Sequence, residues 1–171
     1  TEERRFQGSL ADLDAVREKV DIPILRKDFV VTEYQVLEAR AHGADLVLLI
    51  VAALPDDELR RLYDLATELG MTPMVEVHTP QEAARAATLD ARVIGVNARN
   101  LKTLEVDRAI FGTLLGELPE NAVKVAESGI LCVDDAVEAH ECGADAVLVG
   151  EMLVRHGEPA QVLREIHRAT V

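Results

Sequence analysis

Gly43-Ala44-Asp45-Leu46-Val47-Leu48 recurs later in the chain as Gly143-Ala144-Asp145-Ala146-Val147-Leu148, and this repeat is the clearest indication of the architecture. In both copies a segment with helical periodicity precedes the glycine, and apolar residues follow the aspartate. Glycine often ends a helix, because it adopts a left-handed backbone without steric cost. The repeated unit is therefore a helix, a glycine stop and a buried strand.

Six apolar runs alternate with helical segments along the 171 residues, and they lie at 22–25, 45–50, 74–77, 93–96, 123–126 and 146–149. Each run is apolar at successive positions, as expected for strands that are covered on both faces. Helix starts are predicted after Ser9, Thr32 and Thr79-Pro80, which are residues that cap helices. This alternation predicts an α/β fold built of parallel βα units in a single domain, 1–171.

The alternation fits both a doubly wound sheet and a TIM (β/α)8 barrel. Polar or glycine residues follow most of the predicted strands, and a barrel gathers all of its strand exits at one face. The exits are Arg26-Lys27-Asp28, Glu76-Val77-His78, Asn97-Ala98-Arg99-Asn100, Glu127-Ser128-Gly129 and Gly150-Glu151. We therefore expect a partial barrel of about six βα units, with about two units missing before Thr1.

Charge and hydropathy exclude two classes of partner. The chain carries 18 Lys and Arg against 31 Asp and Glu, a net charge of −13, and no basic patch offsets these carboxylates to bind nucleic acid. No apolar stretch approaches the ~20 residues that cross a bilayer. Two cysteines, Cys132 and Cys142, are too few for a disulfide framework, which favours a reducing, cytoplasmic setting.

Lys27 is a candidate general acid, because it follows a buried strand and carboxylates lie nearby in the predicted barrel. Glu76 and Glu127 end two other strands, and two carboxylates near one lysine can divide the roles of base and orienting partner. The alternative is an ion-pair network that fills the barrel mouth and has no part in catalysis.

Further side chains at the strand ends indicate binding of an anion. Asn97 and Arg99 lie at alternate positions and would point the same way if the strand extended to Arg99, whose guanidinium suits a carboxylate or a phosphate. Two glycine sites, Ser128-Gly129 and Gly150-Glu151, fit a phosphate cradle, although ordinary turns are the alternative. Among the histidines no metal-ligand spacing occurs, and His78 has no evident partner in the sequence.

Phe6 and Phe29 are candidates for contact with an aromatic ligand. Both lie near predicted strand exits or helix starts, and phenyl rings bind aromatic groups by stacking and edge contacts. Filling of the hydrophobic core is the alternative for both residues.

Taken together, these motifs resemble the indole-3-glycerol-phosphate synthase family of tryptophan biosynthesis, and its actinobacterial members most closely. Two segments carry much of the resemblance, Pro23-Ile24-Leu25-Arg26-Lys27-Asp28-Phe29 and Ala126-Glu127-Ser128-Gly129-Ile130. The other matching segments are 5–10, 48–54, 75–78, 94–101 and 146–151, and all occur in the order that the family has.

The resemblance implies a carbon-carbon lyase that converts 1-(2-carboxyphenylamino)-1-deoxyribulose 5-phosphate to indole-3-glycerol phosphate, CO₂ and water, without a metal or organic cofactor. Lys27 would be the general acid, Glu76 the base or second acid, Glu127 a positioning group and Asn97 a holder of the anilino ring. The remaining roles are carboxylate binding by Arg99, a hydroxyl from Ser128, phosphate binding by the backbone at Gly129, Gly150 and Glu151, and flanking of the aromatic ring by Phe6 and Phe29.

The resemblance also implies that two βα units precede Thr1 in the family, carrying a catalytic Glu, a substrate-binding Lys and a Ser-Pro-Ser phosphate segment. Six strands alone would leave two open barrel edges, which predicts self-association. Two other interpretations stay open. In the first, the chain is a catalytically incompetent fragment that binds a phosphate or an aromatic anion. In the second, it is another phosphate-binding TIM-barrel isomerase.

Overall fold

The computed structural model describes residues 1–4, 6–101, 103–155 and 157–170. Arg5, which begins one of the segments that carry the resemblance, and His156 lie outside the described residues. The chain divides into two compact units, one formed by Thr1–Glu76 and Ala84–Val93 and the other by Val77–Ala83 and Ile94–Val171. The single domain 1–171 that the sequence indicates stays a prediction.

The first unit holds three parallel strands with helices between them. Its elements are α1 (Leu10–Arg17), β1 (Leu25–Arg26), α2 (Glu33–Ala41), β2 (Leu46–Ile50), a 3₁₀ turn (Val51–Ala53), α3 (Asp56–Glu68) and β3 (Thr72–Val77). Strand β2 lies between β1 and β3 and pairs with both in parallel. Ile50 is opposite Glu76 in this register, so β2 and β3 end at nearly the same level.

The second unit continues the alternation of strands and helices after α4 (Pro80–Ala87). Its elements are β4 (Val93–Asn97), α5 (Ala109–Leu114), a 3₁₀ turn (Leu115–Glu117), β5 (Val123–Glu127), α6 (Val133–Glu141), β6 (Ala146–Leu148), α7 (Glu151–Arg155) and α8 (Pro159–Thr170). Strand β5 lies between β4 and β6, and its parallel register with β6 sets Glu127 opposite Leu148. The boundary between the units passes through β3, α4 and β4.

Local capping signals explain where the helices begin and end. Ser9 and Thr32 each accept a hydrogen bond from the third helical residue and complete a capping box, as predicted. Gly43, Gly70 and Gly143 have φ of 81°, 77° and 100°, in the left-handed region that a helix C-terminus requires. The helix stops predicted at Gly43 and Gly143 are therefore confirmed, and Gly70 ends α3 in the same way.

Apolar side chains of the strands and of one face of each longer helix form the cores. In α3 the buried residues Leu59, Leu62, Tyr63 and Ala66 recur at helical spacing, while charged residues occupy the opposite face. Strand β2 contributes four consecutive buried residues, Val47 to Ile50. This pattern matches the prediction that the central strands are covered on both faces.

Two strand predictions are wrong in part. The first strand, expected at 22–25, is only Leu25–Arg26, since Ile22 is 68% exposed and Pro23 has no N–H for a ladder. The last strand, β6, was expected to be buried on both faces, but Ala146 is exposed and its two neighbours are half-buried. It is the last strand in the order of the described sheet, so strand pairing covers it on one side only.

Within the described ranges no helix is long and apolar enough to cross a membrane. Cys132 and Cys142 are free thiols at opposite ends of α6. With a rise of about 1.5 Å per residue, a helix of that length holds them too far apart for a disulfide.

Candidate active site

An ion pair between Lys27 and Glu76 occupies the carboxyl ends of β1 and β3. Lys27 directly follows β1, and Glu76 is the next-to-last residue of β3. The Lys27 Nζ lies 3.4 Å from Glu76 Oε2; the lysine side chain is 44% exposed and the glutamate only 1%. A buried carboxylate requires a positive or hydrogen-bonding partner, and this pair also places a proton donor beside a proton acceptor.

The backbone around Lys27 is held by its neighbours. Asp28 Oδ1 accepts the Phe29 N–H at 2.8 Å, and the Gln35 side-chain amide donates to the Phe29 carbonyl at 3.0 Å. Burial alone would raise the pKa of Asp28, but hydrogen bonds from Thr1 and Phe29 and the charge of Arg26 outweigh it. The pKa of Asp28 is therefore lowered, and the carboxylate stays ionised.

The two aromatic candidates differ in their surroundings. Phe29 is half-buried in the segment that follows Lys27. Phe6 is 76% exposed, so filling of the core does not explain it. An exposed ring of this size is available to a ligand or another surface.

In the second unit, Asn97 organises the loop that follows β4. Asn97 is 6% exposed, and its Oδ1 accepts the Arg99 backbone N–H at 2.9 Å. Strand β4 ends at Asn97, so the strand alternation that would aim both side chains the same way stops there. Arg99 instead forms an isolated antiparallel bridge with Val106, and its guanidinium donates to the Leu104 carbonyl at 3.1 Å.

Glu127, Ser128 and Gly129 form a strained turn at the end of β5. Glu127 is 1% exposed, and its carbonyl accepts the Ala98 N–H at 2.8 Å. Ser128 and Gly129 have φ of 66° and 75°, and left-handed backbone at a serine is uncommon. Any Cβ on Gly129 would lie 2.8 Å from Val106 Cγ1, so only glycine fits this close approach.

The second glycine site lies at the start of α7. Gly150 is exposed, and its carbonyl accepts the Val154 N–H at 3.2 Å. Glu151 is also exposed, and its side chain pairs with Arg155 at 2.7 Å, one helical turn later.

Sequence reasoning missed a partner for His78. Glu82 Oε2 accepts the His78 backbone N–H at 2.7 Å and lies 3.2 Å from its Nδ1. Thr79 caps α4 by accepting the Glu82 N–H at 3.2 Å. The signal was present as Thr79-x-x-Glu82, the spacing of a capping box.

Acid–base and amide side chains at the carboxyl ends of strands, each strand followed by a helix, are typical of (β/α)8 barrels. The 3-hexulose-6-phosphate synthase of Salmonella typhimurium has a similar structure, with a TM-score of 0.80 over 96% of this chain and 81% of that one at 17% identity. Another 3-hexulose-6-phosphate synthase gives a TM-score of 0.74 over 99% of this chain and 83% of that one at 20% identity. The chain thus has the α/β fold of a TIM barrel, represented by six βα units.

Within that class, the chain belongs to the indole-3-glycerol phosphate synthase family, whose family model matches residues 1–166. The indole-3-glycerol phosphate synthase of Arthrobacter sp. (strain FB24) is 59% identical over 169 residues, which are 99% of this chain and 62% of that protein. The corresponding protein of Rhodococcus opacus (strain B4) is 60% identical, over 99% of this chain and 63% of its own length. The chain therefore spans slightly less than two thirds of these relatives.

Proposed function

We propose that this chain carries most of the catalytic residues of an indole-3-glycerol-phosphate synthase. Such a carbon-carbon lyase closes the indole ring of 1-(2-carboxyphenylamino)-1-deoxyribulose 5-phosphate and releases CO₂ and water. The substrate is a small phosphorylated aromatic compound, and tryptophan biosynthesis in the cytoplasm is the setting. Membership of the family supports the reaction, and the contact between Lys27 and Glu76 is the observation that carries it.

In the first step Lys27 acts as the general acid. Its ammonium protonates the ketone oxygen while the ring carbon that bears the carboxylate attacks the carbonyl carbon, which forms the new carbon–carbon bond. The carboxylate then leaves as CO₂, and its bonding electrons restore the aromatic ring. The 44% exposure of Lys27 leaves its amine accessible to a substrate, and the Glu76 carboxylate lies 3.4 Å from that amine.

In the second step Glu76 serves as the base or second acid for dehydration. The hydroxyl formed by ring closure departs as water, which needs a proton on that oxygen and removal of one from the ring. A carboxylate beside an ammonium can exchange protons with it, so the two residues can divide these transfers. This arrangement requires no metal and no organic cofactor.

The other site residues are proposed to bind the substrate. Glu127 positions Lys27 or a substrate hydroxyl, and Asn97 holds the anilino ring for attack. The remaining binding groups are Arg99 for the anthranilate carboxylate, Phe6 and Phe29 for the ring, the Ser128 hydroxyl, and the backbone at Gly129, Gly150 and Glu151 for the phosphate. The left-handed backbone of Ser128 and Gly129 supports the last role, because successive backbone N–H groups in such turns can form an anion-binding concavity.

The chain spans 62% of the length of the Arthrobacter relative, so turnover by the chain alone needs its own test. The resemblance implies a further catalytic Glu, a substrate-binding Lys and a Ser-Pro-Ser phosphate segment. We propose that self-association or further chain supplies these groups. A fragment that binds the phosphate or an aromatic anion without turnover is the competing function.

An absence in the composition provides the test. The chain contains no Trp, so indole fluorescence that develops with the arylamino-deoxyribulose phosphate comes from product. The assay is run on the chain alone and on the chain joined to the part of the Arthrobacter protein outside the match. We expect signal at catalytic protein concentrations from the joined form. If neither form develops indole fluorescence but both still bind the product, the chain is a binding fragment and the proposed synthase activity is wrong.

A further inference from the structure

Arg26, the residue before Lys27, is buried beneath the segment that carries the proposed general acid. Its side chain is only 4% exposed, although it is charged. Its guanidinium meets four groups, namely Glu38 Oε2 at 2.9 Å, the Gln35 carbonyl at 2.9 Å, Thr1 Oγ1 at 3.2 Å and Asp28 Oδ2 at 3.3 Å. A planar fork with five donors can satisfy so many acceptors at once, and a lysine cannot.

These contacts tie the residues on both sides of Lys27 to helix α2. Glu38 and Gln35 belong to α2, and Asp28 belongs to the segment that leaves β1. Asp28 passes the constraint on, because its other oxygen accepts the Phe29 N–H. The side-chain amide of Gln35 adds a second link between α2 and this segment by donating to the Phe29 carbonyl.

We propose that Arg26 is a positioning residue that fixes Lys27 and Phe29 for catalysis. The inference rests on the proposed function and extends it to a residue that does not itself touch the substrate. Arg26 and Asp28 contact each other and their side chains are 4% and 13% exposed, whereas the Lys27 side chain is 44% exposed. The guanidinium therefore holds the segment from its buried side, and the amine of Lys27 stays accessible to a substrate.

A comparison within the same unit separates positioning from general stability. Arg17 also makes several contacts, to Asp45 at 2.7 Å, the Val20 carbonyl at 2.5 Å and the Ile22 carbonyl at 3.0 Å. Its partners precede β1 and β2, whereas those of Arg26 surround the end of β1. Loss of Arg17 removes a half-buried set of contacts, and loss of Arg26 removes a buried one. Only the contacts of Arg26 hold the segment that carries Lys27.

The first test compares kinetics of Arg26→Met, Arg26→Lys and Arg17→Met in the form that turns over in the fluorescence assay. Misplacement of a catalytic group by about 1 Å can cost on the order of 10²-fold in rate, so we expect kcat of Arg26→Met to fall at least about tenfold. KM should change by less than about threefold, since Phe29 is the one proposed binding group in this segment and the others lie elsewhere in the chain. Arg26→Lys should recover part of the rate, and Arg17→Met should lower the unfolding temperature while kcat stays within about twofold.

The second test needs no turnover and uses this chain directly. Amide hydrogen exchange at Phe29 reports how well its segment is held. We expect exchange at Phe29 to be at least about tenfold faster in Arg26→Met and Arg26→Lys to lie between, with no such change in Arg17→Met.

Unchanged exchange at Phe29 together with kcat within about twofold of the parent would overturn the positioning role. An equal loss of kcat in Arg17→Met would also overturn it, because the effect would then be general. If the parent itself shows no turnover, the proposed function fails, and the exchange measurement still decides whether Arg26 orders the segment.

Discussion

The Nζ of Lys27 lies 3.4 Å from Oε2 of Glu76, although helices α2 and α3, strand β2 and the first part of β3 separate the two residues along the chain. The pair is asymmetric, because Glu76 is buried and Lys27 is accessible. The accessible ammonium can give a proton to a ligand, and a proton that the buried carboxylate then takes from the ligand can return to the amine.

Replacement of Lys27 by Ala should abolish turnover and spare binding. We expect kcat to fall by about 10²–10⁴-fold, the usual contribution of a general acid, as measured by indole fluorescence of the product. Binding of indole-3-glycerol phosphate, measured by calorimetry, should change by less than about threefold, because other groups hold the phosphate. Lys19→Ala, at an exposed position beyond α1, is the control. Full activity in Lys27→Ala would remove its assigned role.

Replacement of Glu76 by Gln should affect the reaction more than the fold. The amide keeps the volume of the buried side chain but loses its charge, so we expect kcat to fall about 10²-fold. Lys27 is accessible to water, so the free energy of unfolding in urea should change by no more than about 1 kcal/mol. Glu68→Gln, an exposed residue in α3, is the matched control. A large loss of stability with unchanged kcat would make Glu76 structural.

Two glycines with nearly the same φ separate backbone strain from a steric clash. Gly70→Ala, at φ 77° with open space around the Cβ, should cost about 1 kcal/mol of unfolding free energy. Gly129→Ala, at φ 75° with the Cβ 2.8 Å from Val106, should cost about 1–3 kcal/mol more. Urea unfolding of both variants gives the difference. Equal losses would show that Val106 moves aside.

Titration of Asp28 should make stability depend on pH. The pKa of Asp28 is lowered in the folded protein, so its ionised form stabilises the fold above the unfolded-state pKa of about 3.9. That stability is lost as pH falls below about 4 through the lower folded-state pKa. Asp28→Asn should therefore be less stable than the parent at pH 6, with the difference shrinking toward pH 3. Urea unfolding across this range, with exposed Asp64→Asn as the control, measures it. A difference that stays constant down to pH 3 would contradict the lowered pKa.

Much of the fold was predictable because its signals are local. Capping residues such as Ser9 and Thr32 act on the next turn of chain, and five of the six strands lie within two residues of their predicted ends. Strand β1 was misplaced because its pairing depends on the Ile24 carbonyl, which accepts the backbone N–H groups of Asp45 and Leu46 from elsewhere in the unit. Pairing between distant segments leaves little trace in a short apolar run.

The candidate site divides along the same line. Lys27 and Glu76 were recognisable as polar residues at strand ends, whereas nothing in the sequence distinguished Arg26 from an ordinary exposed charge beside them. Its burial became evident only when Glu38 and Gln35 of α2 met it, and a buried cation is tolerated only where such partners exist. The left-handed backbone of Ser128 likewise has no sequence signal.

The repeating helix–glycine–strand unit and the helix caps follow from neighbours along the chain, and the acidic charge follows from composition, so all of them are visible in the sequence. The contact between Lys27 and Glu76, the burial of Arg26 and the approach of Val106 to Gly129 are visible only in the folded chain. They depend on packing and strand register between distant segments, which bring together groups that no local pattern links.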